Sequence, residues 1–139
     1  MGIELNMRLN KRRKTYLIIL VFVIVICIFI VGSLIKFNEI NKEVSAIEID
    51  TINFNNIKDG TYQGEYYIQD FVGAKVELTI ENGKIKNITL LDHKNGMGKK
   101  AEEIINIVIE KQTLEVDTIS GATCSSTLIL KAIENAVKE

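Results

Sequence analysis

From Thr15 to Ile35 the chain carries no charged residue, and this one stretch decides most of what can follow it. Its centre, Leu17 to Val31, is almost entirely Ile, Val, Leu and Phe. A helix needs about 20 apolar residues to cross the hydrocarbon core of a bilayer, and the stretch supplies them. In front of it stand Arg8, Lys11, Arg12, Arg13 and Lys14 against Glu4, a local excess of four positive charges. Such an excess keeps the N-terminal side in the cytoplasm, so the residues after Ile35 are expected outside. The competing reading is a cleavable signal peptide, whose apolar region is usually about 7–15 residues long and ends in an Ala-x-Ala-like site. Here the run is longer and only Gly32-Ser33 offers small residues. A lipoprotein signal at Cys27 fits worse, because Ile26 stands where a small residue is needed. An uncleaved signal anchor over 15–35, behind a basic head of residues 1–14, is the reading adopted.

The remaining chain has room for one small soluble domain. With a total charge of −1 and +4 in the head, the rest carries −5, which argues against a nucleic-acid surface. Two cysteines make no disulfide framework, since Cys27 is in the apolar run and Cys124 near the C-terminus. Cys124 has no Cys-x-x-Cys partner and reads as a small helix-start residue. His93 is the single histidine, so no cluster has metal-ligand spacing and no metal site is expected.

Residues 36–56 mix charges with spaced apolar residues (Phe37, Ile40, Val44, Ile47) and read as a stalk. The domain is placed at 57–139. Asp59-Gly60 marks a turn, and Thr61, Tyr62, Tyr66 and Tyr67 favour a strand. Ala74, Val76, Leu78 and Ile80 then alternate with Lys75, Glu77, Thr79 and Glu81, a period of two that predicts a half-buried strand. Asn82-Gly83 is a type I′ hairpin signal, and Ile85 to Leu91 supplies the returning strand. Leu91 to Gly98 reads as a loop bearing His93. Ala101, Ile104, Ile105 and Val108 share a helical face, predicting a helix over 99–111, with a strand as the alternative because Ile104 to Ile109 is largely β-branched. A last helix is predicted over 125–138. Strands followed by helices without regular alternation give an α+β class. The expected architecture is an N-terminal transmembrane helix, then a small domain with an antiparallel β-meander and two helices.

Between these helices lies Asp117-Thr118-Ile119-Ser120-Gly121-Ala122-Thr123, a turn opening a helix. Asp117 and Ser120 can cap or receive backbone donors, and Gly121 and Ala122 lack bulk. A helix start has free N–H groups and a positive dipole end, which suit a phosphate. On residue types alone, an ordinary helix cap is the simpler account. The full order Asp-x-x-Ser-Gly-Ala-Thr, however, resembles the flavinylation sequence of the FMN-binding domain family. That family includes the C subunit of the sodium-translocating NADH:quinone reductase, the G subunit of the Rnf complex and small membrane-tethered Gram-positive flavoproteins. The opening Asp59-Gly60-Thr61-Tyr62-Gln63-Gly64 and the Asn82-Gly83 hairpin extend the resemblance from about Ile57 to the C-terminus.

The resemblance implies a cofactor, FMN, attached through a phosphoester to Thr123 by a dedicated flavin transferase. Asp117, Ser120, Gly121 and Ala122 would shape the attachment turn, and His93 would lie near the flavin. It also implies electron transfer with a membrane redox partner, quinone-linked or Rnf-like. The chain lacks a Gly-x-Gly-x-x-Gly after a strand, has too little length for a nicotinamide domain, and shows no spaced acid/base pair. It therefore reads as an electron carrier more than as a self-sufficient enzyme, with no catalytic residues. Two other readings stand beside it: a tethered binding or sensory module holding flavin non-covalently or not at all, and a membrane-bound flavin reductase.

Overall fold

The structure, a computed structural model, describes residues 2–94 and 98–138. It divides into two compact units, Met1–Glu39 and Ile40–Glu139. One helix, α1 (Gly2–Ser45), makes up the first unit and ends within the second. From Arg13 to Ser45 it is long and apolar enough to cross a membrane, and its side chains from Arg13 to Glu39 are all exposed. Tyr16, Phe22, Ile28 and Phe29 are each more than 60 % exposed, so apolar groups face outward on every side. A helix with that surface suits a hydrophobic surround.

The second unit is built on a three-stranded antiparallel sheet of β1 (Gly60–Ile68), β2 (Val72–Glu81) and β3 (Lys84–Lys94), in that order. Tyr62 faces Leu78 across the first pair, and Leu78 faces Ile88 across the second. Asn82 and Gly83 have φ of 53° and 69°, the two left-handed residues that a type I′ turn demands. The alternation read from β2 is realised: Ala74, Val76, Leu78 and Ile80 are fully buried, and Lys75, Glu77 and Thr79 look to the other face. There, Glu65 pairs with Lys75 at 3.1 Å and Gln63 donates to Glu77 at 2.9 Å.

After β3 a 3₁₀ turn (Lys99–Glu103) leads into α2 (Ile104–Lys111), so the β-branched run is helical and the strand alternative does not occur. Ile104, Ile105 and Val108 turn inward, because the core rewards an apolar stripe more than β-branching penalises a helix. Gln112, at φ 54°, stops α2 and returns the chain. Its side-chain amide accepts from the Ile85 N–H and donates to the Ile85 carbonyl, at 2.7 and 2.9 Å, locking the end of α2 to the start of β3. The last helix, α3 (Thr123–Lys138), lies across the inner face of β1 and β2 and buries Leu128, Ile129, Leu130, Ala132, Ile133 and Ala136.

Much of the segment read as a stalk is folded into this unit. Val44 is buried with Ile68 and Leu128, while Phe54 is in the main core with Ile49 and Ile52 packed against it. Polar ties fasten the same segment to α3. The Glu134 carboxylate, 1 % exposed, is bridged by Lys131 at 2.9 Å and by Lys138. Lys131 also donates to the Glu48 carbonyl at 3.0 Å, and Lys138 pairs with Asp50. Burial by itself pushes the Glu134 carboxyl up, but hydrogen bonds from Lys138 and Lys131 outweigh it and hold the group below its usual range. A carboxyl lowered on folding stabilises in full above its unfolded value and loses that contribution as pH falls through the folded one. Glu134→Gln should cost about 2 kcal/mol near neutral pH, the scale of a lost hydrogen bond to a charged group. The difference from wild type should shrink on acidification below the ordinary carboxylate range. Thermal melts of both proteins between neutral and acid pH check this, and parallel melting curves would refute it.

Candidate functional site

The turn that the sequence singled out is held from both sides. Leu114 is buried, and the Thr51 hydroxyl donates to the Glu115 carboxylate, so the chain enters the turn already fixed. Ile119 packs against the main core. Its carbonyl accepts from the Ala122 N–H at 2.9 Å, and its own N–H donates to Ser126 Oγ at 3.1 Å. Gly121 has φ +78°, a conformation glycine adopts at little cost. The Ala122 carbonyl then accepts the first helical bond, from the Ser126 N–H at 2.9 Å. Helix α3 thus starts at Thr123, two residues earlier than its apolar periodicity indicates, because periodicity registers only where buried residues begin.

Thr123 is exposed, and among the described residues no hydrogen bond engages its hydroxyl. Ala122, just before it, has no side-chain acceptor to occupy the N–H groups of the first turn, which have no partner within the helix. Those donors and the dipole end are therefore open to an anion beside the Thr123 hydroxyl. The position of a Cβ on Gly121 has nothing within 4 Å, so the approach over the turn is clear. Gly121→Ala meets no steric barrier and only the left-handed backbone penalty, so it should lower stability by about 1–2 kcal/mol. A chemical denaturation series checks this.

Asp117 and Ser120 are both exposed, and neither side chain takes a hydrogen bond among the described residues. The hydroxyl that receives a turn N–H belongs to Ser126, which the sequence reading did not select. Its signal in the sequence was only one more Ser in a Ser/Thr-rich run. Cys124 is half-buried against the cluster of Val44, Ile68 and Leu128, and burial pushes its thiol up. That is the direction away from a reactive thiolate.

His93 lies on a strand where the sequence suggested a loop, because β3 continues to Lys94. It pairs in register with Ala74, so its ring faces the helical side of the sheet. There its Nδ1 lies 3.2 Å from Glu102 Oε1, with the imidazole 4 % and the carboxylate 37 % exposed. The better exposed member of this pair is Glu102, a residue the sequence gave no reason to choose. Asn95, Gly96 and Met97 of the expected loop lie outside the described residues.

The topology brings these parts to one end of the sheet. Cys124, next to Thr123, shares a cluster with Val72 at the start of β2. Two residues along β2, Ala74 is paired with His93. Helix α3 also packs on the 3₁₀ turn that carries Glu102. Val72, His93 and the cluster that takes Cys124 thus belong to one end of the sheet, although 30 residues separate His93 from Thr123 in sequence.

The arrangement fits a phosphate-bearing cofactor: an exposed hydroxyl at the first position of a 16-residue helix, with open first-turn donors and clear ground over Gly121. The family model of the FMN-binding domain matches residues 72–138, from the first residue of β2 to the last of α3. A search of curated proteins finds no match. Together with the apolar helix α1, the match suggests a membrane-tethered protein that binds FMN. Residues 72–138 thus match the FMN-binding domain family, and the match indicates FMN as the cofactor.

Proposed function

We propose that this protein is a membrane-anchored electron carrier whose FMN is joined by a phosphoester to Thr123 and works outside the cytoplasm. The observation that carries the reading is the Thr123 hydroxyl, exposed at the start of α3 within the complete Asp117-to-Thr123 motif. In attachment, the Thr123 Oγ–phosphorus bond forms as the donor flavin's bond to its leaving group breaks, and the hydroxyl proton is released. A transferase supplies the activated donor. Esterification removes one phosphate charge, and the first-turn N–H groups compensate what remains. A covalent bond also suits an external site, where free FMN is too dilute to refill a vacancy.

Bound FMN supplies one- and two-electron redox chemistry, and the protein sets its access and potential. The chain itself binds and orients: Gly121 leaves the turn uncovered, Ile119 anchors it, and the His93–Glu102 pair offers a polar edge at the same end of the sheet. The basic head ahead of α1 supports a cytoplasmic N-terminus, and hence an external flavin domain. A quinone-linked or Rnf-like membrane partner would supply or accept the electrons.

The test is flavin fluorescence of the denatured full-length protein in a gel, after expression in a host with an exported flavin transferase. A fluorescent band is the expected result. If the band is dark while a known transferase substrate is labelled, covalent attachment is wrong and reversible FMN binding replaces it. Protease treatment of intact cells tests the topology, with the flavin domain expected to be cleaved.

A further inference from the structure

We infer that Ser126 is a positioning residue for the modification of Thr123, an inference that rests on the covalent reading above. A helix is ordinarily capped by the side chain of the residue before its first turn. Here that residue is Ala122, and the capping function has moved into the helix. Ser126 is fully buried, and its Oγ reaches back past the helix start to accept from the Ile119 N–H at 3.1 Å. Its own backbone N–H bonds to the Ala122 carbonyl at 2.9 Å.

These two bonds, with Ala122 N–H to Ile119 carbonyl, close the chain from 119 to 126 into a ring tied at its base. Thr123 is near its middle, on the exposed side. The consequence is a division of labour. The base of the ring is anchored, because half-buried Ile119 packs against the core and Ser126 is shut off from water. On the rim, Ser120, Gly121 and Thr123 are exposed while Ala122 between them is buried in the core, so the Thr123 hydroxyl is presented outward with no side-chain acceptor on the first-turn donors. Without the Ser126 hydroxyl, the half-buried Ile119 N–H would lose its partner, and an unsatisfied donor favours conformations that turn it to water. Those conformations lift Ile119 and swing Thr123 away from a fixed presentation. A phosphoryl transfer in which the protein contributes mainly position is sensitive to such displacement.

The test compares wild type, Ser126→Ala and Ser125→Ala as substrates of a flavin transferase, using the full chain in detergent. Ser125 is 6 % exposed on the same turn, and among the described residues its hydroxyl makes no tie to the loop. Its replacement therefore controls for deleting a buried hydroxyl. Rates are read as fluorescence gained at saturating transferase and donor, and hydrogen exchange is followed at the Ile119 amide. Ser126→Ala should load about tenfold more slowly under saturation and reach the same final labelling, while the Ile119 amide loses protection. Ser125→Ala should keep the wild-type rate. A purely structural role would lower the melting temperature of Ser126→Ala without slowing labelling of the folded protein, and that result overturns the inference. Equal slowing in both variants overturns it as well. Failure of the wild type to label removes the covalent reading itself, an outcome distinct from wild-type labelling with an unimpaired Ser126→Ala.

Discussion

Replacing Gly64 by alanine should destabilise the domain by more than about 3 kcal/mol, the upper part of the range for overpacked sites. Gly64 is the last residue of the Asp59-Gly60-Thr61-Tyr62-Gln63-Gly64 opening and faces Val76 in the middle of β1–β2 pairing. A Cβ built there collides with the Ala136 amide nitrogen, the Ala132 carbonyl oxygen and the Ala136 Cα. All three are backbone atoms of α3, so no rotamer change relieves the clash. The helix would have to lift off the strand, exposing part of the buried face formed by Ile129, Ala132, Ile133 and Ala136. Tightly packed interiors relax only partially, which is why a single methyl group is felt so strongly here. Because the same helix begins at Thr123, flavin loading should fall together with stability. Urea denaturation and gel fluorescence of Gly64→Ala measure the two effects. A variant within about 1 kcal/mol of wild type would mean that α3 does not rest directly on β1.

Thr123→Ala should have the opposite profile, with complete loss of covalent flavin and almost unchanged stability. Thr123 is exposed and its hydroxyl makes no hydrogen bond among the described residues, so its removal disturbs no packing. Alanine also has a higher helix propensity than threonine, so stability should remain within about 0.5 kcal/mol. Thr123→Ser keeps a hydroxyl at the same helical position and should retain flavin, with slower loading because serine populates more rotamers. The measurements are fluorescence after denaturation and thermal melting. Fluorescence surviving in Thr123→Ala would move the attachment to another hydroxyl of the turn. Loss of both flavin and stability would make Thr123 a structural cap. The two substitutions thus separate the scaffold from the chemistry: one disables the platform, the other only the acceptor.

What could be read in the sequence has a common character. The uncharged run from Thr15 to Ile35, the alternation along β2, the Asn82-Gly83 turn and the helical stripe of α3 are local signals, and each fixes a backbone conformation through neighbours in sequence. They determined the α+β order of elements and a helix long and apolar enough to cross a membrane. The turn from Asp117 to Thr123 was also legible as a helix start, although among the described residues Asp117 and Ser120 make no cap and the hydroxyl that receives the Ile119 N–H is that of Ser126.

Only the tertiary structure decided the rest. Val44, Ile49, Ile52 and Phe54 are spaced so that they suit a solvated linker as well as a packed strap, and the core beside them makes the difference. Gly64 looked like turn chemistry, yet its need for glycine comes from helix backbone about 70 residues away. His93 read as a loop residue until pairing with Ala74 extended β3 and buried its ring against Glu102. Ser126 was one hydroxyl among several, and its distinction is a bond to an amide seven residues earlier. In each case the deciding interaction joins groups whose proximity depends on how the elements pack. Periodicity and propensity describe how a chain coils locally, whereas a close approach or a buried hydrogen bond exists only once a second surface has arrived.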